Sequence, residues 1–185
     1  RNYHFIGPHS RFKTTSKKSH VEGVDLLVIL SGPEPQRSIL ENLISKQALK
    51  SGLKTTILQS KPEENTEIQK ENIRIISHVG DTQMAEMIQS ASIIVSRPGF
   101  STIMDLCVFG KKAIFIPTPG QTEQEYLAKK MKALGYCCFE SQKSFDLINA
   151  LIVSEKYTGL PKITSQHRVE LLIDRILSGD IVNSD

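Results

Sequence analysis

Ser92-Ile93-Ile94-Val95-Ser96-Arg97-Pro98-Gly99-Phe100-Ser101-Thr102-Ile103-Met104-Asp105 decides how this chain is read. The apolar, β-branched run Ile93-Ile94-Val95 after Ser92 predicts a strand. A Pro-Gly turn interrupts it, and the spacing from Thr102 to Phe109 predicts a helix. The first N–H groups of a helix are unpaired and point outward, so a strand–turn–helix junction bearing hydroxyls can receive an anion. At 3.6 residues per turn Ser101, Thr102 and Asp105 share one face, and Ile103, Leu106 and Cys107 point away. A carboxylate one turn inside a phosphate-friendly helix start suits ribose hydroxyls, and the combination points to a nucleotide. The same local pattern also fits an ordinary hydroxyl-capped βα turn, which is common in α/β folds.

Outward from this stretch the chain alternates strand and helix. Strands are expected at 24–30, 54–58, 73–76, 93–96, 112–116 and 136–139. Helices are expected at 38–50, 81–90, 102–109, 123–134, 144–153 and 166–177. The polar residues 59–72 read as a connection. Val24-Asp25-Leu26-Leu27-Val28-Ile29-Leu30 is apolar on both faces, as in a buried parallel sheet. The fold class is therefore α/β: a doubly wound, six-stranded parallel sheet of Rossmann-like type. In such sheets ligands bind beyond the carboxyl ends of the strands, at the switch in strand order. Loops 31–37, 77–82, 96–101 and 117–124 leave those ends.

The 185 residues suffice for one full domain, and 39% apolar content with 6% aromatics is ordinary for one. No apolar run approaches the ~18 residues of a membrane span. The net charge of +3 is weak evidence for a nucleic-acid partner, and none is expected. Residues 1–20 carry +5 through Arg1, Arg11, Lys13, Lys17 and Lys18, which leaves −2 for the remainder. That segment reads as a basic linker, or as a seam against another domain or an anionic membrane surface. The start at Arg1, inside a strand-like Tyr3-His4-Phe5-Ile6, reads as a piece of a longer protein. Cys107, Cys137 and Cys138 lack metal-ligand spacing and read as reduced thiols in the cytoplasm. No His/Cys/carboxylate cluster and no Asp-x-Asp motif is present, so neither metal nor cofactor is expected. No catalytic triad, Cys-His pair or paired-carboxylate set can be assembled either.

Several stretches together resemble the C-terminal donor-binding domain of GT-B glycosyltransferases, and within them family 28, the peptidoglycan-type N-acetylglucosaminyltransferases. They are Phe5-Ile6-Gly7-Pro8, the strand–Ser31-Gly32–helix unit, Ala91 to Arg97, and the dense match from Arg97 to Tyr126. The likeness spans nearly the whole chain. It implies that residues 21–185 bind a nucleotide sugar, that 1–20 is an interdomain linker, and that an N-terminal acceptor domain lies outside this chain. It places His78 and Val79 at the uracil edge, and Gly99, Ser101 and Thr102 at the diphosphate and nucleoside. Asp105 stands where the family has an acidic residue, usually Glu, on the ribose. Gln124 and Glu125, then Gln121 and Glu123, fall where the family contacts the donor sugar. The first loop, Ser31-Gly32-Pro33-Glu34-Pro35-Gln36-Arg37, departs from the family's glycine-rich form. Its two prolines remove N–H donors and Glu34 repels phosphate, while Gln36 and Arg37 offer replacement donors. Ser31, Gly32, Gln36, Arg37 and Arg97 are thus the candidate phosphate contacts.

The function so implied is the donor half of a hexosyltransferase. It would move a hexose such as N-acetylglucosamine from a UDP-sugar to a lipid-linked or saccharide acceptor. This fragment holds no catalytic residue by itself, and it works in the cytoplasm or against the inner membrane face. A self-standing donor subunit, a UDP-sugar hydrolase and a non-catalytic nucleotide-binding domain are the alternatives.

Overall fold

The structure is a computed structural model that describes residues 10–12 and 23–162. The expected helix at 166–177 and most of the 1–20 segment lie outside the described residues. Strands β1 (Leu26–Ile29), β2 (Thr55–Leu58), β4 (Ile73–Ile76), β5 (Ile93–Ser96), β6 (Ala113–Phe115) and β7 (Cys138–Phe139) are the six anticipated ones. All of them pair in parallel. They are strands because their residues are mostly β-branched, aliphatic or aromatic and must be covered on both sides.

A seventh strand, β3 (Glu67–Lys70), corrects the reading of 59–72 as a plain connection. It pairs antiparallel with β4 at the sheet edge. All four of its residues are exposed, so no apolar alternation marked it in the sequence. Backbone pairing holds it, with Glu71 in the left-handed region (φ 51°) at the hairpin and an Arg74–Glu67 ion pair at 2.7 Å. Its charged residues keep this open edge from pairing with other chains.

The strand order is β3-β4-β2-β1-β5-β6-β7. Helices α1 (Gln36–Ser51), α2 (Asp81–Ser90), α3 (Phe100–Phe109), α4 (Thr122–Ala133) and α5 (Leu147–Ser154) cover both faces. On one face Met84, Met87 and Ile88 of α2 and Ile103, Leu106 and Cys107 of α3 pack on Leu27, Leu58, Ile94 and Phe115. On the other, Leu40, Ile44 and Ala48 of α1 and Leu147 and Ala150 of α5 pack on Leu26, Val28, Ile57 and Ile114. Adjacent strand residues thus feed opposite cores, which explains the unbroken apolar runs.

Three helix starts differ from expectation by two residues or more, and one of them is α3, which begins at Phe100 rather than Thr102. Helix α1 starts at Gln36 rather than Ser38, because Glu34 accepts a hydrogen bond from the Ser38 N–H and closes the first turn. Residues 142–144 form a 3-10 turn, and α5 begins at Leu147 behind Asp146, which accepts from Asn149 N at 2.8 Å. Of the basic segment, Phe12 packs into the domain, and Ser10 and Arg11 bond to it while Arg11 stays exposed. Phe12 is 3% exposed and lies 5.7 Å from the Phe109 ring.

Candidate functional site

The strand order reverses at β1, with β2 and β4 to one side and β5, β6 and β7 to the other. The crevice of a doubly wound sheet therefore opens between the loops that follow β1 and β5. At this edge the helices that follow β4, β5 and β6 are preceded by the cap residues Gly80, Gly99 and Gln121. None of these three residues caps its helix with a side-chain bond. Their first N–H groups carry the positive ends of three helix dipoles toward one rim.

Gly99, Ser101 and Thr102 sit at the start of α3, with Ser101 exposed and Thr102 half-buried. His78 is exposed beyond β4, its Nδ1 2.7 Å from the Glu64 carbonyl, and Val79 packs against the α2–α3 core. Gln121 and Glu123 are exposed on the first turn of α4 and its cap, and Glu125 is half-buried. The Gln124 Oε1 accepts from Thr118 N at 2.8 Å, so this glutamine fixes the loop after β6.

Asp105 is less open than its helical face implies. It is 8% exposed, and both of its oxygens are engaged. Ser10 Oγ donates to one at 2.6 Å and Arg11 Nε to the other at 3.1 Å. Arg11 also reaches Asp81 at the start of α2, with Nη1 at 3.0 Å. The Ser10–Phe12 segment therefore straps the starts of α2 and α3 together across the carboxylate.

The first loop is organised differently from the phosphate cradle expected of it. Arg37 Nε pairs with Glu34 at 2.9 Å and its Nη1 donates to the Ser60 carbonyl. Bonds from Ser38 and from Arg37 hold the Glu34 carboxyl below the usual carboxylate range. Glu34 thus serves α1 as a cap. Gln36 turns inward, where its Oε1 accepts from Gln142 Nε2 at 3.0 Å. Ser31 and Gly32 remain at the crevice, Gly32 with φ +94°, a conformation that L side chains rarely adopt.

Arg97 also departs from its expected phosphate contact. It is 1% exposed. Its Nη1 donates to the carbonyls of Ile116 and Pro117, and its Nη2 to the Gln36 carbonyl and Gln142 Oε1. These bonds tie the ends of β5 and β6 to α1 and the 3-10 turn. Burial lowers the guanidinium's pKa to about 10, so it stays charged at neutral pH. Ser10, Arg11, Thr118 and Gln142 were missed as parts of this rim. A basic residue near the chain start and a threonine between two prolines were the available signals; Gln142 offered none.

Among the described residues no group of three His, Cys, Asp or Glu side chains could hold a metal ion. A separate hollow lined by Val24, Lys54, Thr55 and Asn72 opens near the amino ends of β1, β2 and β4, away from the rim.

Comparison with known proteins then places the chain. The sequence pattern described as "Glycosyltransferase family 28 C-terminal domain" matches residues 27–158, which bracket every loop of the rim. The chain belongs to that family. A relative of the family 28 domain described here is the UDP-N-acetylglucosamine–N-acetylmuramyl-(pentapeptide) pyrophosphoryl-undecaprenol N-acetylglucosamine transferase of Sulfurihydrogenibium sp. strain YO3AOP1. It is 28% identical over 114 residues, 60% of this chain and 32% of that protein. The aligned part thus spans about a third of the relative's length. Among solved structures, the glycosyltransferase of kitacinnamycin superposes with TM-score 0.62 at 17% identity, over 92% of this chain and 48% of that one. MurG of Acinetobacter baumannii gives 0.56 at 20% identity, over 91% and 54%. These two likenesses establish the fold, a GT-B half.

Proposed function

We propose that this family 28 domain is the donor-binding half of a hexosyltransferase and takes a UDP-sugar, with N-acetylglucosamine as the hexose. The observation that carries the reading is the family match over 27–158, which encloses a rim where three helices start without side-chain caps. The diphosphate lies over the start of α3, the base near His78 and Val79, and the sugar toward Gln124 and Glu125. Ribose hydroxyls replace Ser10 and Arg11 as donors to Asp105. Departure of UDP is aided by fixed N–H dipoles, which stabilise developing charge without rearranging. An acceptor-binding domain supplies the other substrate, a lipid-linked or saccharide hydroxyl. Contact with an anionic membrane runs through the basic residues of segment 1–20. Among the described residues no helix is long and apolar enough to cross a membrane.

Calorimetric titration of this chain with UDP, ADP and GDP tests the reading. UDP is expected to bind at least about tenfold more tightly than either purine nucleotide, a difference of about 1.4 kcal/mol. A chelator is expected to leave that affinity unchanged, and the chain alone is expected to transfer no sugar. Equal affinity for the three nucleotides, or none for UDP, would overturn the reading.

A further inference from the structure

Three buried side-chain atoms among the described residues lack a protein partner: Ser96 Oγ, Arg97 Nε and Thr118 Oγ1. They do not scatter through the molecule. All three sit at the carboxyl ends of β5 and β6, and Ile116 N bonds the Ser96 carbonyl between them. A buried polar group left unpaired is destabilising, so each such group asks for an explanation.

Thr118 is the most telling. It is 4% exposed and both of its backbone groups are used, N–H by Gln124 and carbonyl by the Gln121 N–H. Its hydroxyl alone is idle. It faces the first loop at Gly32, where a β-carbon would stand 3.7 Å from Oγ1. Gly32 belongs to the loop after β1 and Thr118 to the loop after β6, so the hydroxyl is buried where these two loops meet. Behind it lies Arg97, whose Nη1 bonds the carbonyl of Pro117, the residue next to Thr118. Every oxygen bonded to Arg97 belongs to a neutral carbonyl or amide, and no carboxylate is among them. A buried cation without a counter-charge is costly unless an anion arrives. An idle hydroxyl donor, an idle Nε–H and an uncompensated positive charge share one preference, a phosphoryl oxygen.

We propose that Thr118 Oγ1, backed by Arg97, is a phosphoryl-contacting group of the nucleotide diphosphate, set between Gly32 and the loop after β6. The inference rests on the UDP-sugar reading of the crevice and adds to it a contact made by the loop after β6. Thr118 donates its hydroxyl proton to a phosphoryl oxygen. Arg97 makes that oxygen's negative charge welcome without leaving its structural bonds.

The test uses Thr118→Val, which keeps the shape and removes the hydroxyl, with Thr118→Ser as the conservative variant. Each chain is titrated with UDP, uridine and inorganic pyrophosphate, and urea unfolding is followed without ligand. Thr118→Val is expected to weaken UDP and pyrophosphate about tenfold, to leave uridine unchanged, and to leave unliganded stability equal or higher. Thr118→Ser is expected to restore most of the affinity. If wild type binds UDP and Thr118→Val binds it equally well, the hydroxyl serves a resident water and this inference alone falls. It falls too if uridine weakens as much as UDP. If wild type binds pyrophosphate but not UDP, and Thr118→Val loses the pyrophosphate, the contact stands and the UDP-sugar reading falls. A wild-type chain that binds neither overturns both.

Discussion

Asp105 shows how far a single residue's role depends on what lies over it. Its place on α3 marked it as an open carboxylate, yet Ser10 and Arg11 occupy both oxygens. In the proposed complex the ribose hydroxyls accept no help from that arrangement and must supply their own donors. Hydrogen bonds to a charged group contribute about 1.5–3 kcal/mol. Asp105→Ala is therefore expected to weaken UDP by roughly tenfold to a hundredfold or more. Asp105→Asn should lose less, and a 2′-deoxy nucleotide should bind wild type worse than its ribo form but Asp105→Ala about equally. Because Arg11 is half exposed, its ion pairs are expected to add little to global stability, and the variant should remain folded in circular dichroism. Unchanged UDP affinity in Asp105→Ala would move the ribose elsewhere on the rim. Arg97 differs in kind. It was a candidate ligand because a basic residue in a βα turn can reach a phosphate, and only the folded chain shows its terminal nitrogens bonded to three backbone carbonyls and the Gln142 side chain.

At the level of elements, helix α5 tests the value of a cap. It has eight residues, too few to hold together by propensity, and Asp146 accepts the Asn149 N–H. Asp146→Ala is expected to cost about 1 kcal/mol in urea unfolding, with Asp146→Ser close to wild type. A loss near zero would mean that packing of Leu147 and Ala150, with the bond from Leu147 N to Gln47 Oε1, sets this helix. The same elements show what could be read in advance. The six parallel strands were legible because each needs apolar residues on both faces, and Leu26 to Leu30 or Ile93 to Val95 can satisfy nothing else. Gly52 marked the end of α1 through its positive φ. Strand β3 was not legible, because an exposed edge strand gains from backbone pairing rather than from side-chain burial. The start of α1 was misplaced because a glutamate outside the helix caps it. The loops of the rim were identifiable as loops. Which of their side chains face inward was not, since Gln36–Gln142 and Ser10–Asp105 join residues about a hundred positions apart.

For the whole molecule, the three thiols report on the integrity of both cores. Cys107, Cys137 and Cys138 are buried. Burial is the first cause that raises their pKa values, to about 11, 12 and 11 respectively. A thiol whose pKa is higher when folded holds its proton more tightly in the native state. Its contribution to stability is complete below the unfolded thiol range and is lost as pH rises through the folded value. Stability is therefore expected to be flat through neutral pH and to decline from about pH 9 upward. At pH 8 a thiol reagent such as DTNB should label none of the three in the native chain and all three in urea. Rapid native labelling would show that one of the sheet's faces opens readily. The strap at Asp105 has a consequence of another sort. Ser10 and Arg11 are tethered to the domain they touch, so their effective concentration at the carboxylate is set by the backbone and cannot be diluted away. In the proposed complex the domain thus carries its own competitor for the ribose, and a pull that draws Ser10 and Arg11 off the carboxylate becomes a way of tuning how tightly nucleotide is held.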